Sequence, residues 1–262
     1  MIHFEDVTRT FGNRTAVERL NLSVGKGELV ALLGHNGAGK TTSIKMLVGL
    51  LQPSFGQVKV GPYVVSESMR EASRLIGYVP DQPFLYDKLS AREFLEFVGE
   101  LYGLTASEVR TAVQREVERF QLGEFMDRLT ESYSHGMRQR TVFAAALIHE
   151  PEVLVVDEPM VGLDPQCIRL VKDFLRAYAD NGKTVLMSTH TLGIAEEIAD
   201  RVAVMNSSRL VFEGTVAQLR ERVPGVLGTL ESLYLALTDV SVFDGNSNGD
   251  FRSHSESPVL EP

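Results

Sequence analysis

Gly34-His35-Asn36-Gly37-Ala38-Gly39-Lys40-Thr41-Thr42 is the stretch on which the reading of this chain turns. It fits G-x-x-x-x-G-K-[ST], a loop whose main-chain N–H groups cradle phosphates. The apolar run at residues 29–33 ahead of it reads as a buried strand, and residues 42–48 behind it read as a helix. That strand–loop–helix context is what the motif requires. Glycines let the backbone pass close to anionic oxygens, and the following helix N-terminus adds positive potential. The candidate phosphate-binding positions are Gly34, Asn36, Gly37, Ala38, Gly39, Lys40, Thr41 and Thr42. The Lys40 ammonium would reach the β- and γ-phosphates, and the Thr41 hydroxyl would complete a Mg²⁺ shell. A glycine turn matching by accident is the competing reading, and the flanking strand and helix weigh against it.

A second apolar run, Val153-Leu154-Val155-Val156, ends in Asp157-Glu158. A carboxylate at a strand tip suits Mg²⁺, directly or through water, and the next one suits proton abstraction from an attacking water. Two solvated acids in a turn are the bland alternative, less favoured in a chain that already holds a phosphate loop.

The bulk numbers set bounds. With 262 residues, 44% of them hydrophobic, the chain can bury a sizeable core. Its single cysteine, Cys167, excludes an internal disulfide framework and suits a reducing compartment. No apolar run approaches the roughly 18 residues of a membrane span, and the N-terminus carries no signal-peptide pattern. The expectation is a cytoplasmic chain whose membrane role would need a partner. A net charge of −9 argues against wrapping nucleic acid, and no nucleic-acid partner is expected.

Along the chain, residues 2–7 and 16–24 alternate as half-exposed strands around a turn at Phe11-Gly12-Asn13. Short strands are expected at 57–60 and 75–79. Ser90-Ala91-Arg92-Glu93 and Thr105-Ala106-Ser107-Glu108 fit the capping box and open two amphipathic helices. The α/β alternation resumes with strands at 153–156 and 184–187 around a helix at 165–179, then strands at 202–205 and 210–212. The fold class is therefore α/β: a phosphate-loop core with a mainly parallel sheet, an antiparallel N-terminal part and an inserted helical subdomain. The expected division is a core at 1–82 and 151–222, helices at 83–150, and a C-terminal helical extension at 223–240. The tail at 241–262 lacks the apolar content to offset the entropy of ordering and reads as disordered.

With both motifs in place the chain resembles the nucleotide-binding subunits of ATP-binding cassette (ABC) transporters, from about residue 2 to residue 237. Gly34 to Thr41 stand as Walker A and Val153 to Glu158 as Walker B. Tyr133-Ser134-His135-Gly136-Met137-Arg138-Gln139-Arg140 matches the signature motif, Gly162-Leu163-Asp164-Pro165 the D-loop, and Ser188-Thr189-His190 the segment of the switch histidine. The resemblance implies that Phe11 stacks on adenine, that Glu158 is the base, and that His190 contacts the γ-phosphate. It further implies that Ser134, Gly136 and Asp164 belong to an ATP site shared with a second, head-to-tail subunit. Taken alone, Phe11 suits the core and His190 a satisfied strand end.

The chain also departs from the family. Asp81 stands where the family's glutamine follows Tyr-Val-Pro, with Gln82 one position on. We assign the Mg²⁺ and water contact to Gln82, with Asp81 as the alternative. The signature string and Asp157-Glu158-Pro159-Met160-Val161-Gly162-Leu163-Asp164-Pro165 are more similar to ABC-2-type exporter ATPases than to importer ones. The implied function is an ATP- and Mg²⁺-dependent ATPase on the cytoplasmic face of the membrane, energising separate transmembrane permease chains. Phe84-Leu85-Tyr86 are the candidates for gripping the partner. A soluble ABC ATPase acting on nucleic acid or ribosomes, an importer ATPase and a binding-only regulatory cassette are the alternatives.

Overall fold

Alternating burial along Ile2–Phe11 (β1) and Arg14–Val24 (β2) makes a half-exposed antiparallel hairpin. Gly12, at φ 57, supplies the left-handed residue of its turn. Leu29–Leu33 (β3) is instead buried at every position, the mark of a strand covered on both faces. Lys40–Leu47 (α1) follows it directly. Phe55–Val60 (β4) and Tyr63–Val64 (β5) then complete a four-stranded antiparallel sheet in the order β2-β1-β4-β5. The computed structural model describes residues 1–226 and 228–238, so the expected disordered tail at 241–262 lies outside the described residues.

Met69–Leu75 (α2) leads into Ile76–Val79 (β6). The strand expected from residue 75 thus starts one residue later, because Leu75 closes a helix too short to show a 3.6-residue period. Ala91–Leu101 (α3) and Ala106–Phe120 (α4) both open on complete capping boxes, Ser90 with Glu93 and Thr105 with Glu108. Each such cap stabilises its helix by about 1 kcal/mol. His135–Leu147 (α5) is capped by the Ser134 side chain. Val153–Asp157 (β7), Pro165–Asp180 (α6), Thr184–Thr189 (β8), Leu192–Ile198 (α7), Arg201–Asn206 (β9) and Arg209–Gly214 (β10) follow. Val216–Arg222 (α8) and Leu230–Thr238 (α9) end the described chain.

The second sheet runs β10-β9-β3-β8-β7-β6, parallel except for the β9–β10 hairpin. Its side chains divide by the two-residue period between two cores. Leu29, Ala31 and Leu33 join the helical layer built on α3 to α7, where Phe120 and Phe143 are fully buried with ring centroids 5.7 Å apart. Val30 and Leu32 face the other way, onto α1 and the antiparallel sheet. The architecture is therefore layered, with the parallel sheet in the middle. Among the described residues no helix is long and apolar enough to cross a membrane.

This topology places the chemistry. Four neighbouring parallel strands, β3, β8, β7 and β6, end on the same edge. Their tips carry, in that spatial order, the loop from Gly34, then His190, then Asp157 with Glu158, then Asp81 with Gln82. Ligands of open α/β sheets gather at such carboxyl ends.

Candidate active site

The loop between β3 and α1 needs its glycines sterically. A Cβ on Gly34 would lie 2.7 Å from the Met205 carbonyl oxygen, and Gly39 holds φ 112 with the Ala16 oxygen 2.6 Å from where its Cβ would be. Gly39 also caps α1, so the loop amides and the helix N-terminus converge on one cavity of about 480 Å³. Asn36, Gly37, Gly39, Lys40, Thr41 and Thr42 line it, while Ala38 is buried behind. Phe11 stands at its mouth, 48% exposed, with the Arg9 guanidinium 4.5 Å over its ring. The core placement that residue type suggested is thereby excluded, and the ring offers a stacking platform to a planar base.

Lys40 is almost fully buried. Its ammonium donates to the Gly34 carbonyl at 2.6 Å and lies 3.5 Å from the Glu158 carboxylate. Thr41 Oγ1 donates to Asp157 Oδ1 at 3.5 Å, joining segments 116 residues apart. The Ser188 hydroxyl donates to the same Asp157 oxygen and accepts from the Glu158 N–H at 3.1 Å. Glu158 sits at φ 49, a conformation disfavoured for a side-chain-bearing residue and held by that hydroxyl and by the Ser188 carbonyl. His190 Nδ1 lies 2.8 Å from Glu158 Oε2.

Asp157 is fully buried, and its Oδ2 has no hydrogen-bond partner among the described residues. Burial pushes its carboxyl up, and the charges of Asp81 and Glu158 add to this, against the Ser188 and Thr41 hydrogen bonds. A buried, unpartnered carboxylate oxygen beside a threonine hydroxyl fits a hard divalent cation, whose remaining positions water and phosphate oxygens fill. No group of three or more His, Cys, Asp or Glu among the described residues makes a self-contained metal cage.

Of the β6 tip, Asp81 lines the cavity; Gln82 is exposed, and its N–H donates to Asp81 Oδ1 at 2.9 Å. Ser134, Gly136 and Asp164 are not among the residues lining that cavity. They gather elsewhere. Ser134 accepts from the Met137 N–H, His135 Nε2 lies 2.9 Å from the Val161 carbonyl, and Asp164 caps α6 by accepting from the Cys167 N–H at 2.9 Å. The Cys167 N–H, with the Cys167 thiol adding to it, holds the Asp164 carboxyl below its ordinary value. A Cβ on Gly136 would touch Cys167 Sγ and Asp164 Oδ2. Sequence reasoning missed Ser188, which ties Asp157 to Glu158, and Arg14, a second cation on the cavity wall. Ser188 stands in the sequence only as part of the segment leading to His190, and Arg14 belongs to no string that spacing could single out.

Comparison with known proteins agrees with this geometry. The ABC transporter family model matches residues 17–161. The chain is 36% identical to the linearmycin resistance ATP-binding protein LnrL of Bacillus subtilis, over 86% of this chain and 72% of that one. It is 35% identical to the Nod factor export ATP-binding protein I of Paraburkholderia xenovorans, over 83% and 72%. The solved ATP-binding subunit of an ABC transporter superposes with a TM-score of 0.85 at 29% identity, covering 90% of this chain and 99% of that one. A bacterial ABC transporter cassette solved as a dimer gives 0.76 at 25% identity, covering 82% and 99%. By motifs, fold and likeness together, the chain belongs to the ABC transporter family, as one of its ATP-binding subunits.

Proposed function

We propose that this chain hydrolyses ATP as one of two head-to-tail cassettes and thereby energises a separate membrane permease that exports its cargo. The carrying observation is the separation of two anion-ready loops. Lys40, Thr41 and Glu158 share one cavity, while His135 and Gly136, which follow Ser134, lie against the Val161–Asp164 turn outside it. A hydroxyl and an open glycine at the start of α5 suit the phosphates of a nucleotide held by another copy. The dimeric solved cassette and the export-named relative support the pairing and the direction.

In this reading Lys40 and the loop amides bind the phosphates, Phe11 and Arg14 flank the rest of the nucleotide, and Thr41 with Asp157 would hold Mg²⁺. The cation would neutralise phosphate charge and orient the chain's oxygen donors. Glu158 takes the proton of the attacking water, and His190 fixes its carboxylate. Glu158 is well suited because Ser188 and His190 anchor it from the neighbouring strand tip, so little reorganisation is needed. Phe84, 70% exposed, lines an apolar groove of about 310 Å³ with Phe94, Val98 and Tyr102; Tyr86, 49% exposed, packs edge-on against Phe84 and Phe94 beside it, and Leu85 between them is buried. Exposed aromatics of this kind suit a partner helix, and we assign the permease contact there.

The test is affinity purification of the tagged chain from detergent-solubilised membranes of its own cells, followed by an ATPase assay. A multi-span membrane protein should co-purify and stimulate hydrolysis. Recovery of ribosomal particles or RNA instead would overturn the transport reading.

A further inference from the structure

We infer that Asp81 makes nucleotide binding in this chain conditional on a divalent cation, acting as an anionic gate on the cavity wall opposite the phosphate loop. The inference rests on the nucleotide reading above and concerns a residue that reading does not use.

Asp81 follows β6 at the outer end of the row of strand tips, and its side chain faces the cavity that Lys40, Thr41 and Glu158 share. Its Oδ1 accepts from the Gln82 N–H at 2.9 Å, which fixes the carboxylate at the start of the loop and leaves Gln82 exposed outside the lining. Asp81 is close enough for its charge to act on Asp157. Asp157, in turn, keeps one buried oxygen without a partner beside Thr41, which points independently to a cation at this end of the cavity.

The electrostatic consequence is direct. Lys40 and Arg14 bring two positive charges to the cavity wall, and Asp81 and Glu158 bring two negative ones. A triphosphate carrying about four negative charges meets repulsion from Asp81. The same triphosphate with a bound divalent ion carries about half that charge and presents a cation to the carboxylate. A neutral amide at position 81 would not discriminate between the two. Across several ångströms at the near-aqueous permittivity around an exposed carboxylate, one such charge shifts the preference by about tenfold. By reciprocity of linked equilibria, the nucleotide must raise the affinity for the metal by the same factor.

The experiment is a binding titration without turnover. A fluorescent ATP analogue is titrated into the purified full chain with excess MgCl₂, and separately with EDTA, and the ratio of the two Kd values is taken. The ratio should fall by about tenfold in Asp81→Asn, mainly because metal-free nucleotide binds more tightly, while Gln82→Ala leaves it unchanged. Equal ratios in wild type and Asp81→Asn would overturn the inference, as would a fall confined to Gln82→Ala. A thermal melt of each variant checks that exposed positions 81 and 82 leave the fold intact. Lys40→Ala separates the two levels of the reading. If it leaves both Kd values unaltered, the nucleotide assignment itself fails; if it abolishes binding while Asp81→Asn does nothing, only the gate fails.

Discussion

His190 grips Glu158 twice: its Nδ1 lies 2.8 Å from Oε2, and its main-chain N–H donates to the same oxygen at 3.2 Å. The other carboxylate oxygen faces the Lys40 ammonium at 3.5 Å. The candidate base is therefore oriented from the tip of β8, the strand lying between the two motif-bearing strands.

Replacing His190 with Ala removes one of these contacts and keeps the main-chain one. Turnover should fall by about a hundredfold or more, in the range general-base assistance contributes. Nucleotide Kd should stay within about threefold, because the phosphate loop is untouched. Steady-state kinetics with a parallel binding titration separates the two, and His190→Gln, which retains a polar tip, should recover part of the rate. Wild-type turnover in His190→Ala would remove the histidine from the mechanism.

Gly39 provides a steric test of the loop. At φ 112, an Ala Cβ would stand 2.6 Å from the Ala16 oxygen and 2.9 Å from Met205 Cε. Gly39→Ala should weaken nucleotide binding by more than about tenfold and cost about 1–3 kcal/mol of stability through backbone strain. Calorimetric titration and thermal denaturation check both. An unchanged Kd and melting temperature would show that the loop does not need the geometry described.

The phosphate loop was legible because its chemistry is local: Gly34 to Thr41 are contiguous, and each residue type has a steric or electrostatic reason. Asp157 and Glu158 were legible because an all-buried strand ends on them. The two N-terminal capping boxes likewise announced α3 and α4 within a few residues. The loop after β6 behaved differently. Whether Asp81 or Gln82 enters the cavity depends on how a single turn leaves the sheet edge, and neither composition nor spacing encodes that. Ser188 was hidden for a related reason, since its partners Asp157 and Glu158 lie on another strand and meet it only through the parallel register that pairs Asp157 with Ser188. The helices α2 and α7, seven residues each, are too short for periodicity to reveal. The C-terminal helix begins at Leu230, inside the extension expected at 223–240.

His149 should give the stability of the fold an acid limb. Its ring stacks on Tyr102 with centroids 3.6 Å apart, and Nε2 lies 3.1 Å from the Ile76 carbonyl. Burial lowers its pKa from 6.5 to about 4. Between those values the unfolded chain takes up a proton that the folded chain does not. Stability is therefore full above about pH 6.5 and falls as the pH drops toward about 4, by about 3 kcal/mol. His149→Phe keeps the stacking and cannot take the proton, so its melting temperature should decline less over that window. Parallel slopes for the two proteins would show that other groups set the acid limb.

The central claim is that one chain holds half of a composite ATP site, and Glu158→Gln tests it most directly. The substitution keeps the shape of the side chain and removes its basicity, so ATP should bind with little change while hydrolysis falls by about a hundredfold or more. Sedimentation velocity of this variant with MgATP should show a dimer that reverts to monomer when nucleotide is removed, and adding Ser134→Glu should abolish the dimer. A Glu158→Gln protein that binds MgATP yet remains monomeric at every concentration would contradict the claim.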